Sequence, residues 1–194
     1  MKKFMLAAIA SFMLMTPAQA QNVEDAVQWA IAIAKDDTHG YSQGAQNATA
    51  YNPYTGSRDG PDYDCSSLVY YAFNHAGFHI IENWHKNPKF INRYNGNQYV
   101  GDADTILEDL NVDGDWIKYS WLDIKDNLQR GDILCLPQKH VAIYIGDGLT
   151  VEARGVNNPT GMGRYETGDQ GGEIDFYSAY NRGWTEVYRK AIRN

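Results

Sequence analysis

The chain has 194 residues, with 17 basic and 24 acidic side chains and a formal net charge of −7. This length suits one ordinary domain, and we find no linker, internal repeat or low-complexity tract. An acidic chain of this kind lacks the basic surface that binds nucleic acid or anionic membranes, so we expect neither as a partner.

The N-terminus has the pattern of a secretory signal peptide over residues 1–20. Two lysines precede an apolar run at 4–15, and Ala-Gln-Ala at 18–20 is a typical cleavage motif. The apolar run is too short to cross a bilayer as a mature helix. We therefore expect export to the periplasm or the medium, with one mature domain at 21–194 and no membrane span.

Residues 23–35 predict a first amphipathic helix, because apolar residues recur at helical spacing. Its expected buried face is Val23, Ala26, Val27, Ala30, Ile31 and Ala34. Residues 36–60 are rich in Gly, Asn, Ser, Tyr and Asp without a sustained period, which predicts a long surface loop. Loops of this length in a compact domain are usually functional.

A second helix is predicted from about 65 to 76 in the stretch "GPDYDCSSLVYYAF". Asp64 is a good N-cap residue, and Gly77 suits the position after the helix end. The expected inward stripe is Cys65, Leu68, Val69, Ala72 and Phe73. Cys65 is then a first-turn residue that faces inward.

The second half of the chain predicts strands. Residues 81–102 show no clear period, and a short helix is expected at about 103–110. The later β-branched and aromatic runs predict strands at 132–137, 140–146, 149–155 and 185–192. Helices followed by an antiparallel meander indicate an α+β fold.

His140 and Glu152 are predicted to meet across a β-hairpin with Gly146-Asp147-Gly148 as its turn. If Ile145 pairs with Leu149, Glu152 lies diagonally across from His140 on the same face. The carboxylate then holds one imidazole nitrogen and leaves the other available, which is how a general base is oriented.

Cys65 has three interpretations from the residues alone. It is a core residue, half of a disulfide with Cys135, or a nucleophile, and an exported chain with two cysteines favours the disulfide. The nucleophile hypothesis depends on the helix N-terminus, which favours a thiolate. The N–H groups of Cys65 and Ser66 are then candidates to bind an oxyanion. Cys135, within "ILCL", fits a buried strand position.

The sequence also contains a partial match to a calcium-binding loop. "DLNVDGD" at 109–115 matches the first half of an EF-hand, but position 12 is Ser120 rather than glutamate. A helix end that runs into a turn is the better interpretation. The histidines show no metal-ligand spacing with the cysteines, so we expect no metal.

Several ordered blocks resemble the NlpC/P60 superfamily of papain-like cell-wall cysteine peptidases. They are "DCSS" at 64–67, "RGDIL" at 130–134, "HVAIYIGDG" at 140–148 and "VEARG" at 151–155. Adding "WAIAIAKDDTHGYSQ", "TGDQGGEI" and "YNRGWTEVYR", the chain is most similar to the bacteriophage-type peptidoglycan amidase branch. This resemblance implies a papain-like fold, with N-terminal helices packed on an antiparallel sheet.

The resemblance also implies site residues. Cys65 matches the nucleophile, His140 the base and Glu152 the third polar position, which is often histidine in the superfamily. Substrate-binding candidates around them are Tyr41, Asp64, Ser66, Asp169 and Gln170. A papain-like nucleophile must be a free thiol, so the resemblance weighs against a Cys65 to Cys135 disulfide.

The implied function is an exported peptidoglycan hydrolase that cleaves an amide bond of the wall peptide without a cofactor. The family contains N-acetylmuramoyl-L-alanine amidases and stem or cross-bridge endopeptidases, and the sequence does not separate them. One alternative is a secreted antibacterial effector or lysin of the same chemistry, with an immunity or inhibitor protein as its partner. Another is a wall-binding module without turnover, against which the intact Cys65, His140 and Glu152 argue.

Overall fold

The computed structural model describes residues 22–42, 60–78, 115–137, 139–154 and 172–191. Two helices pack on one face of a six-stranded antiparallel sheet, which confirms the predicted α+β class. The helices are α1 (Val23–Ala34), α2 (Cys65–His75) and the short α3 (Trp121–Ile124). The strands are β1 (Trp116–Ser120), β2 (Ile133–Leu136), β3 (His140–Gly146), β4 (Leu149–Ala153), β5 (Ile174–Ser178) and β6 (Glu186–Lys190). None of the helices in these ranges combines the length and apolar character needed to span a membrane.

Helix α1 begins where the Asn22 side chain accepts a hydrogen bond from the Glu24 N–H at 3.0 Å. Its buried residues are Ala26, Val27, Ala30 and Ile33. The prediction left out Ile33, although it follows Ala26 and Ala30 at helical spacing. The contact face is therefore rotated toward Ile33, and Val23, Ile31 and Ala34 are only partly buried.

Helix α2 begins at the predicted residue because Asp64 and Ser67 form a capping box. The Asp64 carboxylate accepts from the Ser67 N–H at 2.8 Å, and the Ser67 hydroxyl accepts from the Asp64 N–H at 2.9 Å. The helix ends at His75, and Gly77 has φ +81°, a conformation that favours glycine. The cap fixes the first turn, and with it the backbone of Cys65.

The sheet has the strand order β1-β6-β2-β3-β4-β5. β2, β3 and β4 are neighbours as the predicted meander requires, but the fourth predicted strand, β6, does not follow β4 and instead lies between β1 and β2. Strands β1 and β5 and helix α3 were not predicted from the sequence. The predicted helix at 103–110 and most of the 109–115 motif lie outside the described residues.

The β3–β4 hairpin follows the predicted register except at its turn. Tyr144 pairs with Thr150 as expected, but Leu149 pairs with Gly146. The predicted pairing of Ile145 with Leu149 is therefore wrong, because an irregularity between Tyr144 and Gly146 absorbs one residue. The register further from the turn is unaffected, so Glu152 keeps its predicted face.

The residues of β3 alternate between two hydrophobic clusters. Val141 and Ile143 join the cluster that packs against α1 and α2. Ala142 and Tyr144 join a smaller cluster on the opposite face, together with Trp184. His140 therefore begins β3 on the face of the smaller cluster, at the end of the strand.

Candidate functional site

Cys65 is the first residue of α2 and is partly buried against the helix-side cluster. Next to it, the Ser66 hydroxyl donates a hydrogen bond to Asp64 Oδ1 at 2.8 Å. Cys65 and Cys135 are not joined by a disulfide, and Cys135 is completely buried in β2, as predicted. The structure thus has a thiol at a capped helix N-terminus, where the helix dipole favours its ionised form.

His140 and Glu152 form a buried pair. His140 Nε2 lies 2.8 Å from Glu152 Oε2, and the two side chains are 8% and 1% exposed. The contact predicted across the hairpin is therefore present. Because an ionised carboxylate only accepts, Nε2 carries the proton and Nδ1 keeps its lone pair in the neutral ring. Nδ1 is then the basic atom of the site.

Burial keeps the His140 ring neutral. It lowers the pKa of His140 below the usual 6.5, an effect that the hydrogen bond to Glu152 opposes and the nearby Arg182 charge reinforces. Burial alone would raise the pKa of Glu152, but the hydrogen bonds from His140 and Thr150 and the Arg182 charge bring it below 4.5. The site at neutral pH is therefore a neutral imidazole held by a carboxylate.

Thr150 holds the other carboxylate oxygen of Glu152. Its hydroxyl donates to Glu152 Oε1 at 2.8 Å, and Thr150 is completely buried. Both carboxylate oxygens therefore have fixed partners, which leaves the Glu152 side chain little freedom to rotate.

Two arginines also face Glu152 Oε2. Arg154 Nε lies 3.6 Å away and Arg182 3.3 Å away, and each side chain is 26% exposed. The Arg154 guanidinium stacks 3.8 Å from the centre of the Tyr177 ring. Arg182 also interacts electrostatically with Cys65, so the N-terminus of α2 and the His140–Glu152 pair share one end of the sheet.

Trp184 supports the imidazole from the smaller cluster. Its ring stacks on His140 with 5.8 Å between centroids, and its indole N–H donates to the Ala179 carbonyl at 2.8 Å. Arg182 lies 5.7 Å from the same indole ring. The orientation of His140 is therefore fixed by a hydrogen bond at its edge and an aromatic ring on its face.

These neighbours were missed from the sequence. Alternation along β4 places Thr150, Glu152 and Arg154 on one face, so the first and last of these were within reach of the pattern. Arg182 and Trp184 lie between β5 and β6, and no local pattern relates that connection to β3.

The other predicted site residues have mixed outcomes. Tyr41 forms a parallel bridge with Tyr63, and its N–H donates to the buried Glu173 at 2.9 Å. Asp64 caps α2 and accepts a hydrogen bond from the Ser66 hydroxyl, and the substrate-binding role of both residues stays a prediction. Asp169 and Gln170 lie outside the described residues. Within the described ranges no group of three histidine, cysteine or acidic side chains is arranged to hold a metal ion.

Comparison with known proteins gives a family match. The model of the NlpC/P60 family matches residues 49–193. A P60 domain from an antigen of M. avium subspecies paratuberculosis is 16% identical, with a TM-score of 0.43 and coverage of 89% of this chain and 98% of that chain. The peptidoglycan hydrolase RipB of Mycobacterium tuberculosis is 22% identical, with a TM-score of 0.44 and coverage of 90% and 69%. No curated protein matches the chain.

The family match covers the second helix, every strand and the residues Cys65, His140 and Glu152. It extends over well more than half of the sequence. The chain therefore belongs to the NlpC/P60 family of cysteine peptidases that hydrolyse peptidoglycan.

Proposed function

We propose that the protein is an exported peptidoglycan hydrolase in which Cys65, His140 and Glu152 cleave an amide bond of the wall peptide. The observation that carries this proposal is the buried His140–Glu152 pair, which fixes Nε2 and leaves Nδ1 as the base. Family membership supports the substrate. The signal pattern at residues 1–20 supports export, since the wall lies outside the cytoplasm.

The proposal requires Cys65 to meet His140 at the end of β3. Helix α2 covers the face of Val141 and Ile143, whereas His140 starts the strand on the other face. The thiol must therefore approach the imidazole around the strand end. The electrostatic interaction of Arg182 with both Cys65 and Glu152 supports this approach.

In the first half of the reaction, His140 Nδ1 takes the proton of the Cys65 thiol. The thiolate attacks the amide carbonyl, and the N–H groups of Cys65 and Ser66 bind the resulting oxyanion. The imidazolium then donates its proton to the leaving amine as the C–N bond breaks. The products of this half are a free amine and a thioester on Cys65.

In the second half, water replaces the amine. Neutral His140 removes a proton from a water molecule, which attacks the thioester carbonyl. The C–S bond breaks, the acid is released, and the proton returns to sulfur. Each cycle therefore consumes one water, and side chains and backbone N–H groups of the chain supply the rest of the chemistry.

The test is digestion of purified peptidoglycan with the wild-type protein and Cys65→Ala, followed by mass analysis of the soluble fragments. We expect fragments from the wild type alone. Equal release by the two proteins would rule out Cys65 as the nucleophile.

The same fragments identify the bond. Freed lactyl groups on the sugar indicate an N-acetylmuramoyl-L-alanine amidase. New N-termini within the peptide indicate an endopeptidase instead.

A further inference from the structure

In the described part of the chain, the positive charge around Glu152 exceeds the single negative charge of its carboxylate. Arg154 and Arg182 both face its Oε2 atom, at 3.6 and 3.3 Å. The third neighbour, His140, is neutral because burial holds its pKa down. Among the described residues, one anion therefore faces two cations, in a chain whose overall net charge is −7.

Neither guanidinium is consumed by its contact with Glu152. Arg154 Nε is buried without a hydrogen-bond partner in the described part of the chain. Arg182 has an ion-pair distance to Glu152 and a ring contact with Trp184. About a quarter of each side chain remains exposed.

The two arginines are also held in place. Arg154 stacks on Tyr177, and Arg182 lies over Trp184, which stacks in turn on His140. A guanidinium packed on an aromatic ring loses less conformational freedom when it binds an anion. Arg182 also interacts electrostatically with Cys65, so the charge of Arg182 acts on the candidate nucleophile.

We propose that Arg154 and Arg182 form a subsite that binds a carboxylate of the substrate next to the amide bond that Cys65 attacks. The planar donors of arginine match the two oxygens of a carboxylate, whereas a carboxamide lacks the charge and offers only one acceptor oxygen. The substrate class is then an acyl peptide with a free carboxylate near the cleaved bond. This inference rests on the proposed function.

The experiment uses one muropeptide and a matched series in which each carboxyl group in turn is a carboxamide. We measure kcat/KM for the wild type, Arg182→Gln and Arg154→Gln. Arg130→Gln is the control, because Arg130 contacts Ile145 at the far end of β3, about 16 Å from His140. It removes the same charge away from the site.

We expect one carboxamide replacement to lower the wild-type kcat/KM by about tenfold or more. In Arg182→Gln and in Arg154→Gln the same replacement should lower kcat/KM by clearly less than in the wild type, because each variant has lost one of the two discriminating charges. Arg130→Gln should discriminate like the wild type. If the two site variants keep the wild-type ratio, or lower activity on all members of the series equally, the subsite is disproved.

A binding measurement separates this inference from the proposed function. Calorimetry with Cys65→Ala compares the free-acid muropeptide with the carboxamide series, before and after Arg182→Gln is added. A preference for the free acid of about tenfold that becomes smaller with Arg182→Gln supports the subsite even where the wild type cleaves nothing. Equal binding of all members disproves the subsite even where the wild type cleaves them.

Discussion

Two buried carboxylates of the sheet, Asp132 and Glu152, are both 1% exposed but have opposite kinds of environment. Asp132 accepts two hydrogen bonds from Arg189, at 2.7 and 2.6 Å, and one from the Gln129 N–H at 2.8 Å. Arg189 also donates to the Asn127 carbonyl at 2.9 Å. Around Asp132, one carboxylate and one guanidinium satisfy each other, and the backbone completes the set.

Glu152 is bound differently. Its hydrogen bonds come from a neutral imidazole and a hydroxyl, and the two arginines are held at ion-pair distance. The contrast extends to the cations, since the hydrogen bond to Asp132 raises the pKa of Arg189, whereas burial lowers the pKa of Arg182. The Asp132 pair closes on itself, whereas in the described part of the chain the Glu152 cluster leaves Arg154 Nε without a hydrogen-bond partner.

This difference separates a structural ion pair from a candidate active site. Burial of a charge is costly unless every partner is supplied, so a pair that serves only stability should be closed, as at Asp132. An incompletely used cluster that persists near a thiol indicates chemistry. The comparison predicts that changes at the two sites separate activity from stability.

His140→Gln should give the largest loss of activity. It removes the base and acid of the proposed mechanism, and general acid–base catalysis contributes about 10²–10⁴-fold in rate. Turnover of peptidoglycan and the thermal unfolding midpoint are measured together. The catalytic role of His140 would be contradicted if the variant kept its activity, or if unfolded protein explained the whole loss.

Arg189→Gln should instead lower the stability of the fold and leave the activity unchanged. It leaves Asp132 buried without its cation, which costs about 3 kcal/mol of the free energy of unfolding. Denaturant titration measures that loss, and kcat per folded molecule should stay at the wild-type value. Lys118→Gln is the matched control, because Lys118 pairs with Glu186 as a partly exposed side chain and should cost less than about 1 kcal/mol.

Glu152→Gln should lower turnover by less than His140→Gln does, because the base stays in place and loses only its anionic partner. The amide keeps the shape, since its oxygen can accept from His140 Nε2 and its NH₂ can donate to the Thr150 hydroxyl. That hydroxyl then donates to the Tyr177 carbonyl, 3.2 Å away. Only the charge is lost, so unchanged kinetics would mean that another group orients His140.

Much of this site follows from local rules that the sequence displays. Asp64 and Ser67 stand at the spacing of a capping box, and the Asp64 cap, identified from the sequence, fixes the first residue of α2. The alternation of β3 and β4 places His140 and Glu152 on one face, and the error at Ile145 did not move them because it lies beyond the pairs that set their register. Short-range geometry was therefore predictable.

The remaining features depend on long-range packing. "RGDIL" is recognisable as a motif, but its reasons lie elsewhere in the chain. Gly131 has φ +90°, and a Cβ there would lie 1.9 Å from a methyl of Val23 in α1, while Asp132 pairs with Arg189 in β6. Arg182 likewise reaches Glu152 only because the chain folds back before β6. The hydrophobic periodicity of the sequence gives no information about such long-range contacts.

The pH dependence should give the smallest effect and sharpen the comparison most. Burial lowers the pKa of His140 below 6.5. The charged groups that act on its imidazole ring are Glu152, Arg154 and Arg182. As the pH falls through that pKa the ring binds a proton and cannot accept one from Cys65, so the midpoint of the acid limb of kcat/KM should lie below pH 6.5.

Stability should fall in the same direction, because below pH 6.5 the unfolded chain binds the His140 proton more readily than the folded chain does. Unfolding midpoints at each pH therefore have to accompany the rates. Arg182→Gln removes a positive charge that opposes protonation of His140, so its acid limb should move upward in pH, whereas Arg130→Gln should leave it in place. A wild-type midpoint above 6.5, or a downward move in Arg182→Gln, would contradict the assignment of a buried neutral imidazole as the base.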